Sequence, residues 1–203
     1  MDVLEGKKEI QDILIESETG ISIISGGNGL DESLALNNEN TSNIIRAFAA
    51  LENQFDIMIV DISAGANQSV LSFLSACHHQ IVIGTNEPSS VADAYALIKL
   101  IHLTQGLSNI IFIPNKVSTK QEGNVLFEKM NTITAKFLGV ALTFIGSISE
   151  SSDYSLAWNK GKAAVSIGES TTCYHDFAAI VDELDKVTIS RKSDGIQFFN
   201  STK

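Results

Sequence analysis

The chain has 203 residues, of which 44% are hydrophobic and 19% are charged, and its formal net charge is −10. This composition is typical of a folded globular domain with a sizeable core, and it excludes an intrinsically disordered chain. The acidic balance excludes a general nucleic-acid-binding surface, since such a surface needs clustered Lys and Arg. No apolar run approaches the roughly 18–20 residues needed to cross a bilayer, and the first residues do not form a signal peptide, so we expect a cytoplasmic protein.

Short apolar runs alternate with amphipathic stretches along the chain, which is typical of a mostly parallel sheet with helices on both faces. Strands are predicted at residues 21–24, 56–60, 80–84, 109–114 and 142–146. Helices are predicted at residues 9–16, 41–53, 67–77, 90–104, 122–138, 153–160 and 172–186. The predicted fold class is therefore α/β with a doubly wound sheet.

The helix predicted from Ser90 has the clearest start signal. Ser90 is a suitable N-cap and Asp93 follows three residues later, which together predict a capping-box-like pair. Apolar residues then recur at helical spacing and predict a stripe that faces the core: Ala94, Leu97, Ile98 and Ile101.

Cysteine and histidine positions predict neither a disulfide nor a metal site. Cys77 and Cys173 fall in predicted helices without a CxxC partner, which favours a reduced, cytosolic setting. His78 and His79 are adjacent at a helix-to-strand junction with no clustered ligands, so we predict exposed turn residues rather than metal ligands.

The most informative stretch is the run 55–66, where an apolar strand ends in Asp61 and continues into a small-residue turn with Gly65. A carboxylate at the carboxyl end of a parallel strand is where α/β nucleotide hydrolases hold Mg²⁺ or its waters, and a nearby glycine lets a backbone N–H approach a phosphate. Gly-Lys pairs occur only at Gly6-Lys7 and Gly161-Lys162, and neither is followed by the Ser or Thr of a phosphate-binding loop. These residues therefore supply half of a nucleotide site. The glycine-rich run 25–29 lacks a lysine and is predicted to be a turn.

Several segments, in order, resemble the MinD/ParA group of P-loop ATPases, and within it the flagellar-number regulators of the FlhG/FleN group. The matching segments are 55–66, 85–99, 114–116 with 122–123 and 137–140, and 195–199. Residues 2–7 resemble the stretch that follows the second strand in full-length relatives, so the resemblance covers nearly the whole chain. It implies a MinD-like P-loop NTPase domain over residues 1–187, incomplete at its N-terminus, and a polar tail over 188–203 that holds a vestigial membrane-targeting segment.

The resemblance also implies roles for four residues. Asp61 matches the switch II aspartate, a catalytic residue that holds Mg²⁺ through a water, and Gly65 matches the glycine of the same loop. Asn115 and Lys116 match the loop whose Asn contacts adenine, and they are cofactor-binding residues together with Gly65. The implied cofactors are ATP and Mg²⁺. Taken without the resemblance, Asp61, Gly65 and Asn115 are equally typical of turns after strands.

The chain departs from the family pattern at two places. Ile62 and Ser63 stand where relatives carry a small or polar residue and then Gly or Pro. Ser149 and Ser151 stand where relatives often place a Pro and an Asp, on the adenine side of the site. Asp56 and Glu87 are predicted to be surface or loop carboxylates without an acid–base role.

The function implied by the resemblance is ATP-dependent switching between a monomer and a membrane-bound homodimer, which controls the number and placement of flagella together with flagellar assembly regulators. Phosphoryl transfer depends on the P-loop lysine and Mg²⁺ for charge neutralisation, so we expect this chain alone to be inactive as an ATP hydrolase. We also expect weak or no association with the inner face of the cell membrane, because three basic residues near Phe198 and Phe199 contribute only about 1 kcal/mol each.

Two alternatives remain open from the sequence. One is a nucleotide-independent partner-binding module that acts by sequestration. The other is a fragment of a full-length ATPase with a misassigned start, which an in-frame K-G-G-x-G-K-[ST] motif upstream of Met1 would favour.

Overall fold

A computed structural model describes residues 3, 7–25, 38–62, 68–106, 109–188 and 196–199. The chain divides into two compact units, one formed by Met1–His78 with Lys192–Lys203 and the other by His79–Arg191. No helix in the described part of the chain is long and apolar enough to span a membrane.

The first unit is built mainly from helices and turns. A 3-10 turn at Ile10–Ile13 precedes the two-residue strand β1 (Ile15–Glu16), which pairs antiparallel with β2 (Ser22–Ile23). Helix α1 (Asn38–Ala47) continues as a 3-10 turn over Phe48–Leu51, and helix α2 (Gln68–Ala76) follows. The predicted strand at 21–24 and the helices at 41–53 and 67–77 are confirmed in their central residues. The helix predicted at 9–16 is wrong, because its second half leaves the helical turn and pairs with β2.

Aromatic and aliphatic side chains from distant parts of the sequence form the core of the first unit. Its fully buried members are Ile10, Ile45, Leu51, Ala76, Phe198 and Phe199. Phe198 is 3% exposed, and its ring stacks on Phe73 and meets Phe48 edge-on, with centroid distances of 5.9 and 5.3 Å. The backbone N–H of Phe198 donates to the carbonyl of Ala76 at 3.2 Å. Residues 196–199 are thus an integral part of this core.

The strand predicted at residues 56–60 does not form a ladder with any described residue. Its side chains nevertheless alternate as in a strand, with Met58 and Val60 packed against the core of the first unit. Ile57 and Ile59 point away and are 78% and 88% exposed. The apolar pattern set the direction of the side chains, but without a neighbouring strand the backbone has no ladder to join.

The second unit contains the parallel sheet. Its elements are β3 (Gln80–Gly84), α3 (Pro88–Gln105), β4 (Ile110–Val117), α4 (Lys120–Leu138), β5 (Ile148–Ser149), α5 (Asp153–Asn159), a 3-10 turn at Ala164–Ser166 and α6 (Thr172–Leu184). The strand order is β3-β4-β5, and both pairings are parallel. The predicted α/β fold class is confirmed, and the helices that were predicted in this unit are confirmed to within about two residues.

Helices cover both faces of this sheet. Ile111 and Ile113 of β4 pack with Ile180 of α6 on one face. Since strand side chains alternate, Phe112 points to the other face. A Cβ placed on Gly84 would lie 2.9 Å from the Phe112 ring and 3.7 Å from Ala94 of α3, so these groups pack closely there. Helix α4 packs beside α3 and against β4 on that same side.

The strand predicted at 142–146 is wrong in position. Only a single parallel bridge, Thr143 to Ile111, forms there, and the regular pairing falls later at β5. At Gly146 φ is +137°, a conformation that L side chains rarely adopt, and a Cβ there would lie 2.9 Å from Cγ1 of Ile180. This glycine lets the chain change direction beside α6 before it pairs with the end of β4.

The start of α3 also differs from the prediction. Pro88 is the first helical residue and Glu87 is the N-cap, without a side-chain capping bond. Ser90 lies within the first turn, and its Oγ accepts the backbone N–H of Thr85 at 2.9 Å. Proline is favoured at the first helical position because it has no N–H to leave unpaired, and this preference outweighed the predicted Ser90 cap.

Candidate functional site

The carboxyl end of β4 is the part of the second unit where the sequence predicted a base-binding loop. Asn115 pairs with Ile148 and Val117 pairs with Ser149, and the register shifts between them at Lys116. The backbone N–H of Glu150 donates to the carbonyl of Val117 at 2.9 Å, which joins the chain after β5 to the end of β4. Asn115 and Lys116 therefore lie beside the first residues after β5.

Lys116 has an unusual backbone conformation at this edge. Its φ is +55°, and it is the one non-glycine residue with a positive φ in the described ranges. The left-handed region costs a non-glycine residue about 1–2 kcal/mol, and such strain concentrates at functional sites. The backbone N of Lys116 lies 2.8 Å from Oδ1 of Asn115, and its N–H donates to that oxygen.

The Asn115 side chain is thereby oriented by its own backbone. One lone pair of Oδ1 is used by Lys116, while the second lone pair and the two Nδ2 hydrogens have no other partner among the described residues. The side chain is partly exposed. An amide that is held in place and still has a donor and an acceptor can bond the edge of a planar base.

The loop between β4 and α4 is rigidly capped. Oγ1 of Thr119 accepts the N–H of Glu122 at 3.1 Å, and Oε2 of Glu122 accepts the N–H of Ser118 at 2.8 Å. The pair resembles a capping box, except that Glu122 accepts the N–H of Ser118, the residue before the N-cap Thr119. The T-x-x-E signal is readable in the sequence although the prediction began the helix two residues later. A Cβ on Gly123 would lie 2.6 Å from Oγ of Ser147, so α4 approaches the chain before β5 closely.

Hydrogen bonds also hold the chain that follows β5. The N–H of Ser149 donates to Oδ2 of Asp176 at 2.8 Å, and Oγ of Ser151 donates to Oδ2 of Asp153 at 2.8 Å. Sequence reasoning did not single out Asp176, because a lone aspartate in an amphipathic helix carries no signal of its own. Only the packing of α6 against β5 makes it 6% exposed.

Tyr154 completes the surroundings of Asp176. Its ring packs against the isoleucine cluster of the second unit, and its hydroxyl is buried without a hydrogen-bond partner. Burial raises the pKa of Tyr154, and the charges of Cys173, Asp176 and Asp153 raise it further. At neutral pH the hydroxyl therefore stays protonated, as a donor without an acceptor.

The other predicted site residues belong to the first unit. Asp61 is exposed at the end of the extended segment 56–60, and its carboxylate has no hydrogen-bond or ion-pair partner in the part of the chain that the structure describes. Gly65 lies outside the described residues. No cluster of three His, Cys, Asp or Glu side chains occurs among the described residues. The described residues thus offer an oriented amide at Asn115 to the base of a nucleotide, and one exposed carboxylate, Asp61, where the sequence predicted a contact to Mg²⁺ through water.

The remaining side chains that the sequence singled out have plain surroundings. Asp56 and Glu87 are exposed, as predicted, and neither Cys77 nor Cys173 forms a disulfide with a described residue. Burial raises the pKa of the Cys77 thiol to about 11.

Two curated proteins are similar to the chain in sequence. The antiactivator FleN of Pseudomonas aeruginosa is 30% identical over 199 residues, which cover 98% of this chain and 71% of FleN. The flagellum site-determining protein YlxH of Helicobacter pylori is 25% identical over 153 residues, which cover 75% of this chain and 51% of YlxH. No protein-family model matches the chain.

Solved structures of MinD share the fold. The cell division ATPase MinD of Pyrococcus furiosus has a TM-score of 0.70 at 16% identity, covering 91% of this chain and 74% of that one. The septum site-determining protein MinD of Pyrococcus horikoshii, solved with Mg-ADP, has a TM-score of 0.69 at 16% identity, covering 91% and 72%. At this identity the likeness concerns the fold, and it confirms the predicted MinD-like architecture.

Proposed function

The chain belongs to the MinD/ParA family, in its flagellar-number regulator group, and on that premise we propose that it provides the base-binding part of a nucleotide-dependent switch. The observation that carries this proposal is the edge formed by Asn115 and Lys116. There, a strained backbone orients an amide whose Nδ2 and second Oδ1 lone pair are left for a ligand.

The chemistry of that amide suits adenine. An Asn side chain presents one donor and one acceptor in a plane, and the Watson–Crick and Hoogsteen edges of adenine present an amino donor beside a ring-nitrogen acceptor. Nδ2 of Asn115 would donate to the ring nitrogen, and Oδ1 would accept from the amino group. Lys116 would stand at the open side of the same site.

ATP-dependent dimerisation and membrane association are the mechanism we propose for the working regulator. In that mechanism Asp61 and Gly65 would respond to Mg²⁺ and to the terminal phosphate, and the outcome would be control of flagellar number and placement. The family membership and the similarity to FleN and YlxH support this proposal. When bound, ATP and Mg²⁺ would supply the charged group that distinguishes the membrane-bound dimer from the monomer.

The residues of this chain do not suffice for hydrolysis. Removing even one preorganised donor from a phosphoryl or acyl transfer site lowers its rate by about 10²–10³-fold. No G-x-x-x-x-G-K-[ST] loop occurs in the 203 residues. We therefore expect the base, and not the triphosphate, to provide the binding energy.

A nuclear magnetic resonance titration of the full chain with adenosine, guanosine and Mg-ATP tests the proposal. We expect adenosine to shift the Asn115 side-chain amide with millimolar affinity, guanosine to bind more weakly, and Mg-ATP to bind no more tightly than adenosine. Asn115→Ala should weaken adenosine binding about three- to tenfold, because one or two hydrogen bonds are lost.

The matched control is Asn124→Ala, which removes an exposed Asn from α4 and should leave the affinity unchanged. No shift of Asn115 with adenosine, or equal affinity in Asn115→Ala, would contradict the base-binding role. Micromolar affinity for Mg-ATP would contradict the weak-triphosphate expectation and would indicate an unconventional phosphate site.

A second candidate function is a partner-binding module that works without nucleotide. It is favoured by Ile81 and Ile83 of β3, which are 39% and 55% exposed on a strand that pairs on only one side within the described residues. Flagellar number in cells carrying the variant chains separates the two functions. The nucleotide switch predicts a defect with Asn115→Ala, whereas the module predicts a defect only with Ile81→Ser and Ile83→Ser.

A further inference from the structure

A buried carboxylate on α6 contacts the chain at the point where it leaves β5. Asp176 is 6% exposed, and it is the single acidic side chain that the structure buries among the described residues. Burying a charge is unfavourable unless hydrogen bonds compensate it, so its partners show what the residue does. Its Oδ2 accepts the Ser149 N–H at 2.8 Å.

The partner of Asp176 is a backbone group and not a side chain. The Tyr154 hydroxyl, whose pKa is raised by burial and by the charges of Cys173, Asp176 and Asp153, has no hydrogen-bond partner among the described residues. The carboxylate oxygen instead receives a backbone N–H at a strand end. A charge-assisted bond to a backbone group fixes the position of the chain itself rather than that of a side chain.

The anchored residue lies opposite the base-binding edge. Ser149 pairs with Val117, next to the register shift at Lys116, and Ile148 pairs with Asn115. The N–H of the following residue, Glu150, is already used in the bond to the carbonyl of Val117. The chain after β5 is thus held by β4 on one side and by Asp176 on the other.

We infer that Asp176 is a positioning residue for the nucleotide base: by holding the Ser149 N–H it sets the segment 149–152 as the wall that faces Asn115. This inference rests on the proposed function, since it concerns the same base site. It assigns no contact between Asp176 and the base. Because this wall exists before the ligand binds, the segment 149–152 does not have to be ordered on binding, and the entropic cost of binding is lower.

Three variants of the full chain test the inference. Asp176→Ala removes the acceptor, and Asp176→Asn keeps an acceptor oxygen while it removes the charge. Asp182→Ala changes an exposed aspartate of the same helix and is the control. Two quantities are measured for each: hydrogen exchange of the Ser149 amide and adenosine affinity read from the Asn115 side-chain amide.

We expect Asp176→Ala to speed exchange at Ser149 and to weaken adenosine binding about tenfold. Asp176→Asn should stay within about threefold of the wild-type affinity, because Oδ1 of Asn can still accept the N–H. Asp182→Ala should change neither quantity. If Asp176→Ala loses the wild-type circular dichroism, Asp176→Leu takes its place, because it removes the acceptor of the same hydrogen bond while it fills the buried space.

The outcomes separate this inference from the proposed function. A wild-type chain that does not bind adenosine at Asn115 overturns both. Adenosine binding that is equal in the wild type and in the folded bond-deleting variant overturns the positioning role alone. Weak binding in Asp176→Ala that Asp176→Asn does not restore also overturns it, because the bond to Ser149 would then not be the cause.

Discussion

The segment 56–60 in the first unit and the strand β3 in the second have almost the same apolar pattern and different structures. In both, alternate side chains face a core while two isoleucines point away. Strand β3 pairs with β4 along all five of its residues, whereas the segment 56–60 belongs to no strand ladder among the described residues. The outward isoleucines are 39% and 55% exposed in β3 and 78% and 88% exposed in the segment 56–60.

This difference shows what a neighbouring strand contributes. Alternation alone is enough to turn Met58 and Val60 toward a core, because burial of apolar area needs only the correct face. A ladder requires a second backbone at about 4.8 Å, and an extended segment without one presents unpaired N–H and C=O groups to solvent. Local pattern and long-range pairing are therefore separable in this molecule.

The largest expected effect is in the paired sheet. Phe112→Ala removes a fully buried ring between β4 and α3 and should lower the free energy of unfolding by about 3–5 kcal/mol. Phe137→Ala, which truncates a 65% exposed ring on α4, should stay within about 0.5 kcal/mol. Urea unfolding followed by circular dichroism measures both. Similar losses in the two variants would contradict the assignment of Phe112 to the core.

The matching change in the first unit is Phe198→Ala. We expect a loss of about 3 kcal/mol, since the ring packs on Phe48 and Phe73. Ile196→Ala, at a 37% exposed position, should cost less than about 1 kcal/mol. Hydrogen exchange resolved by unit measures the effect. A Phe198→Ala chain with wild-type stability would mean that residues 196–199 do not belong to this core.

The same burial predicts that the wild-type chain without nucleotide stays in the supernatant with anionic vesicles. Phe198 and Phe199 are 3% and 9% exposed, so they are not available to insert at a headgroup boundary. Sedimentation with those vesicles measures binding. If the wild type pellets with the vesicles and a variant with both phenylalanines changed to Ser does not, the prediction is wrong. Phe198 and Phe199 would then be a sufficient membrane anchor.

A fourth prediction concerns the segment 56–60. We expect the wild type to self-associate as concentration rises, because an extended segment outside any described ladder, with Ile57 and Ile59 exposed, invites strand exchange. Ile57→Ser with Ile59→Ser should reduce this association while changing stability by less than about 0.5 kcal/mol per site. Leu103→Ser, at a 65% exposed position on α3, is the control and should leave association unchanged. Sedimentation velocity that shows a concentration-independent monomer for the wild type would count against the prediction.

The last prediction is the pH dependence from Cys77, at the end of α2. Burial raises the pKa of this thiol from 9.0 to about 11. Because the pKa is raised in the folded protein, the contribution of this thiol to the free energy of unfolding is full below pH 9 and is lost as the pH rises from 9 to 11. Thermal melts across that range should show a slope that Cys77→Ala reduces. Identical slopes in the two proteins would contradict the buried state of the thiol.

Much of the second unit was predictable from local signals. The helices around α3, α4 and α6 follow from apolar spacing and from their end residues, and the base-binding role of Asn115 and Lys116 stays a prediction. Three features were not predictable. The pairing moved from 142–146 to β5, because the register depends on which backbones meet. The N-cap is Glu87 and not Ser90, because Pro88 is favoured as the first helical residue. Asp176 became important only through burial.

By itself, the sequence determined the alternation of strands and helices and the faces that those elements bury, and it predicted a base-binding role for Asn115 and Lys116. These properties depend on neighbours in the chain, through side-chain spacing and turn chemistry. Tertiary structure alone decided which extended segments joined a ladder, where Phe198 and Phe199 were buried, and which carboxylate held the chain after β5. Those outcomes depend on groups far apart in sequence, whose pairing and burial no local pattern specifies.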